Sequence, residues 1–180
     1  MARDDRSPLR IFLGHGAAGS SATMRPWADG LRARGFDATA IDLPKRRAED
    51  AVAALVAIAP SGPDVVVGGQ SYGGRVASLA AAEHAYAGLL LLSYPLHRPG
   101  QPEQLRTAHW PSIDCPTLLL SGEADPFARI DRLRTAVPLL RDAELVTYPH
   151  VRHGLAPVME DALDRAAAFL FGLGERPAGN

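Results

Sequence analysis

Short apolar runs alternate along the chain with longer segments whose apolar residues recur at helical spacing. The short runs end in glycine or polar residues and have the length of buried strands. This alternation predicts a three-layer α/β/α sandwich, in which a mostly parallel sheet of about six strands is covered by helices on both faces. The predicted strands cover residues 10–13, 37–42, 64–68, 88–93, 117–121 and 144–148. The predicted helices cover residues 24–34, 48–59, 72–82, 127–140 and 157–171.

The remaining sequence leaves room for one domain. Residues 94–116 lack a clear period and contain several prolines, but the stretch is too short to form a separate cap domain. We therefore expect a single domain over residues 9–172. The two ends, residues 1–8 and 173–180, are expected to be flexible, because the first is charged and polar and the second is rich in glycine and proline. An exposed edge strand could pair two copies into a homodimer, and the sequence leaves the oligomeric state open.

Composition and charge narrow the classes of function. The 180 residues carry a formal net charge of -1 with arginines and acidic residues interspersed, so we expect neither nucleic acid nor a membrane surface as a partner. Cys115 is the only cysteine, which excludes an internal disulfide and a cysteine-based zinc site. No apolar run has the length of a membrane span, and no hydrophobic leader is recognisable. We expect a cytoplasmic protein that uses neither a metal nor another cofactor.

The first glycine-rich loop allows two interpretations. Residues 14–19 read Gly-His-Gly-Ala-Ala-Gly after a predicted strand, and Asp42 ends the next strand, as in a dinucleotide-binding fingerprint. A helix that began inside the fingerprint would contain Pro26, so we expect this helix to start late, close to that proline. In the other interpretation the loop stabilises a developing alkoxide through the backbone N–H of Gly16 or Ala17.

The second glycine-rich loop, residues 69–73, reads Gly-Gln-Ser-Tyr-Gly between a predicted strand and a predicted helix. This is the G-x-S-x-G pattern of a nucleophile elbow, in the context that the elbow requires. The glycines permit the sharp turn that presents Ser71, and the backbone N–H of Tyr72 would be the second oxyanion donor. A glycine-rich turn with an incidental serine is the plain alternative.

A serine nucleophile needs an imidazole to accept its proton and a carboxylate to orient that imidazole. Asp125 follows a late predicted strand and is the preferred acid, with Glu123 in reserve, although Asp125 could instead cap the next helix. His153 lies in the loop after the last predicted strand and is preferred over His150 as the base. These two histidines could also form a metal pair, but no third ligand of suitable spacing accompanies them.

Further residues are predicted to line a substrate pocket because they border the loops around Ser71. They are His15, Trp27, Tyr94, Leu96, His97 and Phe127. His15 could polarise a substrate or pack beneath its own loop, and packing is the favoured role. His84 and His109 are expected to be ordinary surface or loop residues.

Five segments, taken together and in this order, carry a resemblance to a known family. They are residues 15–19, 69–74, 93–97, 125–127 and 153–154. They resemble the α/β-hydrolase superfamily over about residues 9–170, specifically its small members without a cap domain, which are similar to dienelactone hydrolases and to testis-expressed and chromatin-complex hydrolase-like proteins. This sequence departs from the superfamily in that the first two strands are absent from the predicted elements, so we expect a minimal fold with a shortened sheet. Dienelactone hydrolases use a cysteine where this chain has Ser71, so their activity is not implied.

The resemblance also implies acyl-transfer chemistry, with a small-molecule acyl substrate as the expected partner. The simplest reaction is hydrolysis of a small or short-chain ester through an acyl-serine intermediate, since a site without a cap should be shallow and open. Two rivals come from other classes. One is a catalytically inactive scaffold with a hydrolase fold, and the other is a dinucleotide-binding oxidoreductase built on residues 14–19.

Overall fold

The computed structural model describes residues 8–175. It contains six strands, rich in valine and leucine, which pair into one parallel sheet. The strands are β1 (Arg10–Gly14), β2 (Asp37–Ile41), β3 (Gly62–Gln70), β4 (Tyr86–Leu92), β5 (Thr117–Gly122) and β6 (Ala143–Tyr148). Their order across the sheet is β2-β1-β3-β4-β5-β6. The predicted fold class is confirmed.

Helices cover both faces of this sheet. They are α1 (Ser21–Ala33), α2 (Ala48–Ile58), α3 (Tyr72–Glu83), α4 (Ile130–Ala136) and α5 (Met159–Glu175). Successive side chains of a strand point to opposite faces, so Val65 and Val67 pack in one core with α2, α3 and α4. Val66, between them, packs in the second core with α1 and α5.

Helix α1 starts earlier than the sequence indicated, and the expectation that Pro26 would lie at its beginning is wrong. Pro26 lies inside the helix. The first turn is held by Asp42, whose carboxylate accepts the Ser21 N–H at 2.6 Å and the Ser21 hydroxyl at 2.8 Å. Burial of Met24 and Trp27 against the sheet stabilises the first two turns. These interactions offset the loss of the backbone hydrogen bond that Pro26 cannot donate within the helix.

The C-terminal helix is longer than predicted. Helix α5 continues to Glu175, so residues 173–175, which were expected in the flexible tail, are helical. Leu173 packs against Gly88, where an added Cβ would lie only 2.6 Å from the leucine Cδ1. Phe171 adds a contact with the ring of Phe36, with centroids 4.7 Å apart. Residues 1–7, which make up most of the other end expected to be flexible, and residues 176–180 lie outside the described part of the chain.

The strand order places two loop-bearing strand ends side by side. The chain moves from β1 to β2 in one direction and then crosses back to β3 on the other side of β1. Gly14 at the end of β1 is therefore the register partner of Gly69 near the end of β3. Ligand sites in open α/β sheets lie outside the carboxyl ends of strands at such a switch point.

Candidate active site

Ser71 occupies a strained turn between β3 and α3. Its backbone has φ 51° and ψ -110°, which a residue with a side chain rarely adopts. Gly69 and Gly73 flank it because a Cβ at either position would lie 2.1 or 2.2 Å from the carbonyl oxygen of Gly14. The Ser71 N–H donates to the carbonyl of Leu92 at 2.9 Å, which ties the turn to the end of β4. The turn thus projects the serine hydroxyl above the sheet.

Ser71, His153 and Asp125 form a continuous hydrogen-bonded chain. His153 Nε2 lies 3.0 Å from Ser71 Oγ, and His153 Nδ1 lies 2.8 Å from Asp125 Oδ2. Asp125 is 3% exposed, so its carboxylate is largely shielded from water. A carboxylate at Nδ1 holds the ring in the tautomer whose Nε2 can accept the serine proton. Three loops that are far apart in the sequence bring these residues together.

Asp125 does not cap α4, which was the alternative role. Its Oδ1 accepts the N–H of Phe127 at 2.8 Å, but the helix begins at Ile130 after Arg129 in the cap position. Helix α4 is accordingly shorter than predicted. Asp125 therefore combines a turn-forming hydrogen bond with its hydrogen bond to His153.

The other candidates for base and acid take no part in the hydrogen bonds that link Ser71, His153 and Asp125. The reserve acid Glu123 accepts hydrogen bonds from Thr147 Oγ1 at 2.8 Å and from Arg134 Nη2 at 2.9 Å. His150 is exposed, and within residues 8–175 it takes no part in the network around Ser71. Asp125 and His153 are thus the acid and the base that the geometry favours.

Ser93 is a buried support that sequence reasoning missed. Like Ser71, it has a positive φ, at 50°, and it follows directly on the end of β4. Its Oγ accepts the N–H of Gly154 at 3.1 Å, and its own N–H donates to the carbonyl of Leu120 at 2.8 Å. The hydroxyl therefore fastens the loop that carries His153. The sequence did carry a signal for this role, because Ser93 is a polar residue directly after an apolar strand that neighbours the strand before Ser71.

Tyr94, Leu96 and His97 do not line a pocket, and this prediction is wrong. All three are at most 2% exposed, because the chain after β4 turns inward beneath the loops. The Tyr94 hydroxyl donates to the carbonyl of Arg106 at 2.6 Å, and the Arg106 N–H donates to the carbonyl of Leu96 at 2.8 Å. These residues fix the position of a later segment instead of contacting solvent.

His97 holds the loop after Asp125. Its ring Nε2 accepts the N–H of Arg129 at 3.0 Å, and its backbone N–H donates to the carbonyl of Phe127 at 3.0 Å. The other ring nitrogen, Nδ1, donates to the carbonyl of Arg98 at 2.9 Å. Both ring nitrogens are engaged, so His97 supports the loop after Asp125 and is not placed to act on a substrate.

His15 is likewise a support. It is 1% exposed, its Nε2 accepts the N–H of Leu43 at 3.0 Å, and its Nδ1 lies 2.8 Å from the carbonyl of Gly16. The polarising role is therefore wrong and the favoured packing role holds. This buried ring places Gly16 above Ser71, where a Cβ on the glycine would lie 4.0 Å from the Ser71 Cβ.

Two cavities flank the Ser71–His153 pair. The larger, of about 630 Å³, is bordered by Ser71, Ala17, Tyr72 and Phe127 together with several arginines. The smaller, of about 340 Å³, is bordered by His153 and Trp27. Of the six residues predicted to line a pocket, Phe127 thus borders the larger cavity and Trp27 the smaller. Phe127 also packs against the His153 ring, with centroids 4.4 Å apart.

A family model described as an alpha/beta hydrolase domain matches residues 9–169. The chain belongs to this α/β-hydrolase family. The narrower resemblance to dienelactone hydrolases stays a prediction. No curated protein sequence matches the chain.

Solved α/β hydrolases share the fold at low sequence identity. A monoacylglycerol lipase from Paleococcus ferrophilus is 15% identical with a TM-score of 0.76, covering 92% of this chain and 96% of that one. A thermophilic esterase from Thermogutta terrifontis is 18% identical with a TM-score of 0.73, covering 93% and 91%. A bacterial membrane phospholipase A, described as a virulence factor, is 20% identical with a TM-score of 0.76, covering 94% and 80%.

The side chains of His109 and Tyr72, which lie at helix α3, have pKa values shifted from their usual range. Burial, followed by the charge of Arg75, lowers the pKa of His109 to about 4, so this imidazole is neutral near pH 7. It lies 2.8 Å from the hydroxyl of Ser78 on α3, which makes it less of a surface residue than predicted. On the same helix, the Tyr72 hydroxyl donates to the carbonyl of Pro44 at 2.7 Å, and burial raises its pKa.

Residues 8–175 contain no group of three or more His, Cys, Asp or Glu side chains that could hold a metal ion. Over the same range, no helix combines the length and the apolar character needed to cross a membrane.

Proposed function

We propose that this α/β hydrolase is a serine hydrolase that cleaves a small or short-chain carboxylic ester through an acyl-serine intermediate. The observation that carries the proposal is the hydrogen-bonded chain from Ser71 through His153 to Asp125, with heavy-atom distances of 3.0 and 2.8 Å. Membership of a hydrolase family supports the same chemistry.

In the first half-reaction, Ser71 Oγ attacks the ester carbonyl while His153 Nε2 takes the hydroxyl proton. Asp125 stabilises the resulting imidazolium at Nδ1. The tetrahedral intermediate then expels the alcohol, which leaves with the proton from Nε2, and the acyl group stays on Ser71. In the second half-reaction His153 takes a proton from water, the hydroxide attacks the acyl carbonyl, and the serine leaves with that proton as the carboxylic acid forms.

The oxyanion is stabilised by backbone N–H groups on both sides of Ser71. Tyr72 is the first residue of α3, so its N–H has no acceptor within the helix. Gly16 and Ala17 approach from the loop after β1, and Ala17 borders the same cavity as Ser71. Two such donors, aimed at the developing charge, lower the barrier to acyl transfer.

The dinucleotide interpretation finds no support in the geometry. Helix α1 begins at Ser21, after the last glycine of the fingerprint, so its N-terminus is not built from the fingerprint as a pyrophosphate site requires. Asp42, which would bind a ribose in that interpretation, accepts two hydrogen bonds from Ser21 instead. The scaffold interpretation is left to experiment.

Steady-state hydrolysis of 4-nitrophenyl butyrate, with a burst measurement at high enzyme concentration, tests the proposal. We expect Ser71→Ala and His153→Asn to lower kcat by at least about 10³-fold and to abolish the burst. The exposed residues Ser112 and His150 offer matched controls, Ser112→Ala and His150→Asn, and these should retain the wild-type rate. A folded Ser71→Ala variant that kept its turnover would refute the acyl-serine intermediate, and a wild type without turnover would favour the scaffold.

A further inference from the structure

The larger cavity beside Ser71 has an excess of positive charge. Five of the side chains that border it are guanidinium groups, and one is a carboxylate, that of Glu49. The arginines are Arg46, Arg47, Arg75, Arg98 and Arg106. The chain as a whole has a formal net charge of -1, so this concentration is a property of the site and not of the composition.

Only part of this charge is neutralised by the protein. Glu49 forms a close ion pair with Arg75, and the Nε of Arg47 lies 3.8 Å from the same carboxylate. Within residues 8–175, Arg46, Arg98 and Arg106 form no ion pair. Unpaired guanidinium groups around one cavity repel each other, and this repulsion is relieved when an anion enters.

Arg106 is the most firmly placed of the three unpaired arginines. Its carbonyl accepts the Tyr94 hydroxyl and its N–H donates to Leu96, both of which are buried. Its guanidinium makes one long contact, from Nη1 to the carbonyl of Pro95 at 3.4 Å. Burial, and then the charges of Arg75 and Arg98, lower the pKa of Arg106.

This inference rests on the serine hydrolase function proposed above. We propose that the substrate is an ester carrying a carboxylate group, which Arg106 binds together with Arg98 while Ser71 attacks the ester carbonyl. A guanidinium presents its donors in a fork that matches a carboxylate. Arg46, on the loop before α2, adds long-range attraction. A neutral acyl chain in this cavity would leave these charges uncompensated.

Matched esters test the proposal, and two arms distinguish where the anion lies. In the first arm, 4-nitrophenyl hexanoate is compared with the 4-nitrophenyl monoester of adipate, which replaces the terminal methyl with a carboxylate. In the second arm, hexanoyl esters of 4-nitrophenol and of 3-carboxy-4-nitrophenol are compared. Each rate is corrected for the rate without enzyme. We expect kcat/KM for the anionic ester to be about 10- to 100-fold higher in at least one arm.

The preference should depend on the named arginines and on salt. Arg106→Gln and Arg98→Gln should each lower the anionic-to-neutral ratio of kcat/KM severalfold, and 0.5 M salt should lower it through screening. Arg98 is exposed, so its variant tests the proposal even if Arg106→Gln folds poorly. Arg32 on α1 does not border the cavity, and Arg32→Gln should leave the ratio unchanged.

Two further measurements separate failure of this inference from failure of the proposed function. If a fluorophosphonate labels Ser71 but neither arm prefers the anionic ester, the substrate proposal is overturned and the serine hydrolase stands. If Ser71 is not labelled and no ester turns over, calorimetry on the Ser71→Ala variant compares monomethyl adipate, which carries one carboxylate, with methyl hexanoate, which is neutral. Tighter binding of monomethyl adipate, weakened by Arg106→Gln, would support an anion site, and equal binding would overturn it.

Discussion

The role of Asp125 gives the sharpest prediction about the site. An asparagine at this position has the same shape but only one oxygen, and it faces two donors, the Phe127 N–H and the His153 Nδ1–H. If the oxygen stays with Phe127, the amide NH₂ faces Nδ1. The ring must then move its proton to Nε2, where it can no longer accept the proton of Ser71. If the amide oxygen instead stays with His153, the amide NH₂ faces the Phe127 N–H, and two donors then meet with no acceptor between them.

The size of the effect follows from these contacts. An unsatisfied Phe127 N–H costs about 1 to 3 kcal/mol, which favours the inactive tautomer by that amount. Loss of the carboxylate charge removes about 3 to 4 kcal/mol of attraction to the imidazolium that forms during acyl transfer. Together these penalties of about 4 to 7 kcal/mol correspond to a fall in kcat of roughly 10³- to 10⁵-fold.

The assay is hydrolysis of 4-nitrophenyl butyrate by Asp125→Asn, with the free energy of unfolding measured alongside. We expect kcat to collapse while stability changes by at most about 2 kcal/mol, because the variant keeps the buried shape. Glu123→Gln is the matched control, since that carboxylate bonds Thr147 and Arg134 instead of a histidine. An Asp125→Asn variant that lost stability yet kept more than a tenth of wild-type kcat would show that Asp125 only shapes its turn.

Three further predictions concern the supports of the site. Ser93→Ala should lower the free energy of unfolding by about 1 to 2 kcal/mol and should reduce kcat more than it changes KM, because the His153 loop loses an anchor. Gly73→Ala should cost about 3 kcal/mol or more, since its Cβ would lie 2.2 Å from a backbone oxygen. His109, with its pKa lowered to about 4, binds a proton more readily in the unfolded chain, so stability falls as the pH drops from about 6.5 towards 4. After allowance for partial exposure, His109→Gln should remove about 1 kcal/mol of the loss between pH 7.5 and 5.

Each of these has its own control. Ser112→Ala serves for Ser93, and an unchanged kcat in a destabilised Ser93→Ala variant would assign the serine a purely structural role. Gly172 in α5 has open space around it, so Gly172→Ala should stabilise by about 0.5 to 1 kcal/mol, in contrast to Gly73→Ala. For His109, the free energy of unfolding is measured with urea at pH 7.5 and at pH 5. If it falls by the same amount in His109→Gln and in the wild type, titration of His109 is not the cause of the loss.

The sequence predicted the sheet and the Ser71–His153–Asp125 arrangement because both depend on local patterns. An apolar run before a glycine-bracketed serine, and polar residues after later strands, define which loops meet at one edge of a parallel sheet. The beginning of α1 was misjudged because its first turn is held by Asp42, which lies in a different element. A proline counts against a helix only until such tertiary contacts outweigh it.

The residues around the site were harder to predict because their roles depend on the path of an irregular segment. Tyr94, Leu96 and His97 follow a strand next to Ser71, and position alone suggested a pocket wall, whereas the chain turns inward and buries them. The arginines of the cavity come from several separate segments, and along the sequence they are indistinguishable from the arginines that form surface ion pairs. These arginines border one cavity beside Ser71 only once the chain has folded.

The most direct test of the central claim is reaction of the purified protein with a fluorophosphonate probe, followed by mass mapping of the adduct. This reaction needs an activated serine but no knowledge of the substrate. We expect a single adduct on Ser71 that is lost in His153→Asn and retained in His150→Asn. A folded protein that stayed unlabelled, or that was labelled at Ser71 equally well without His153, would contradict the account.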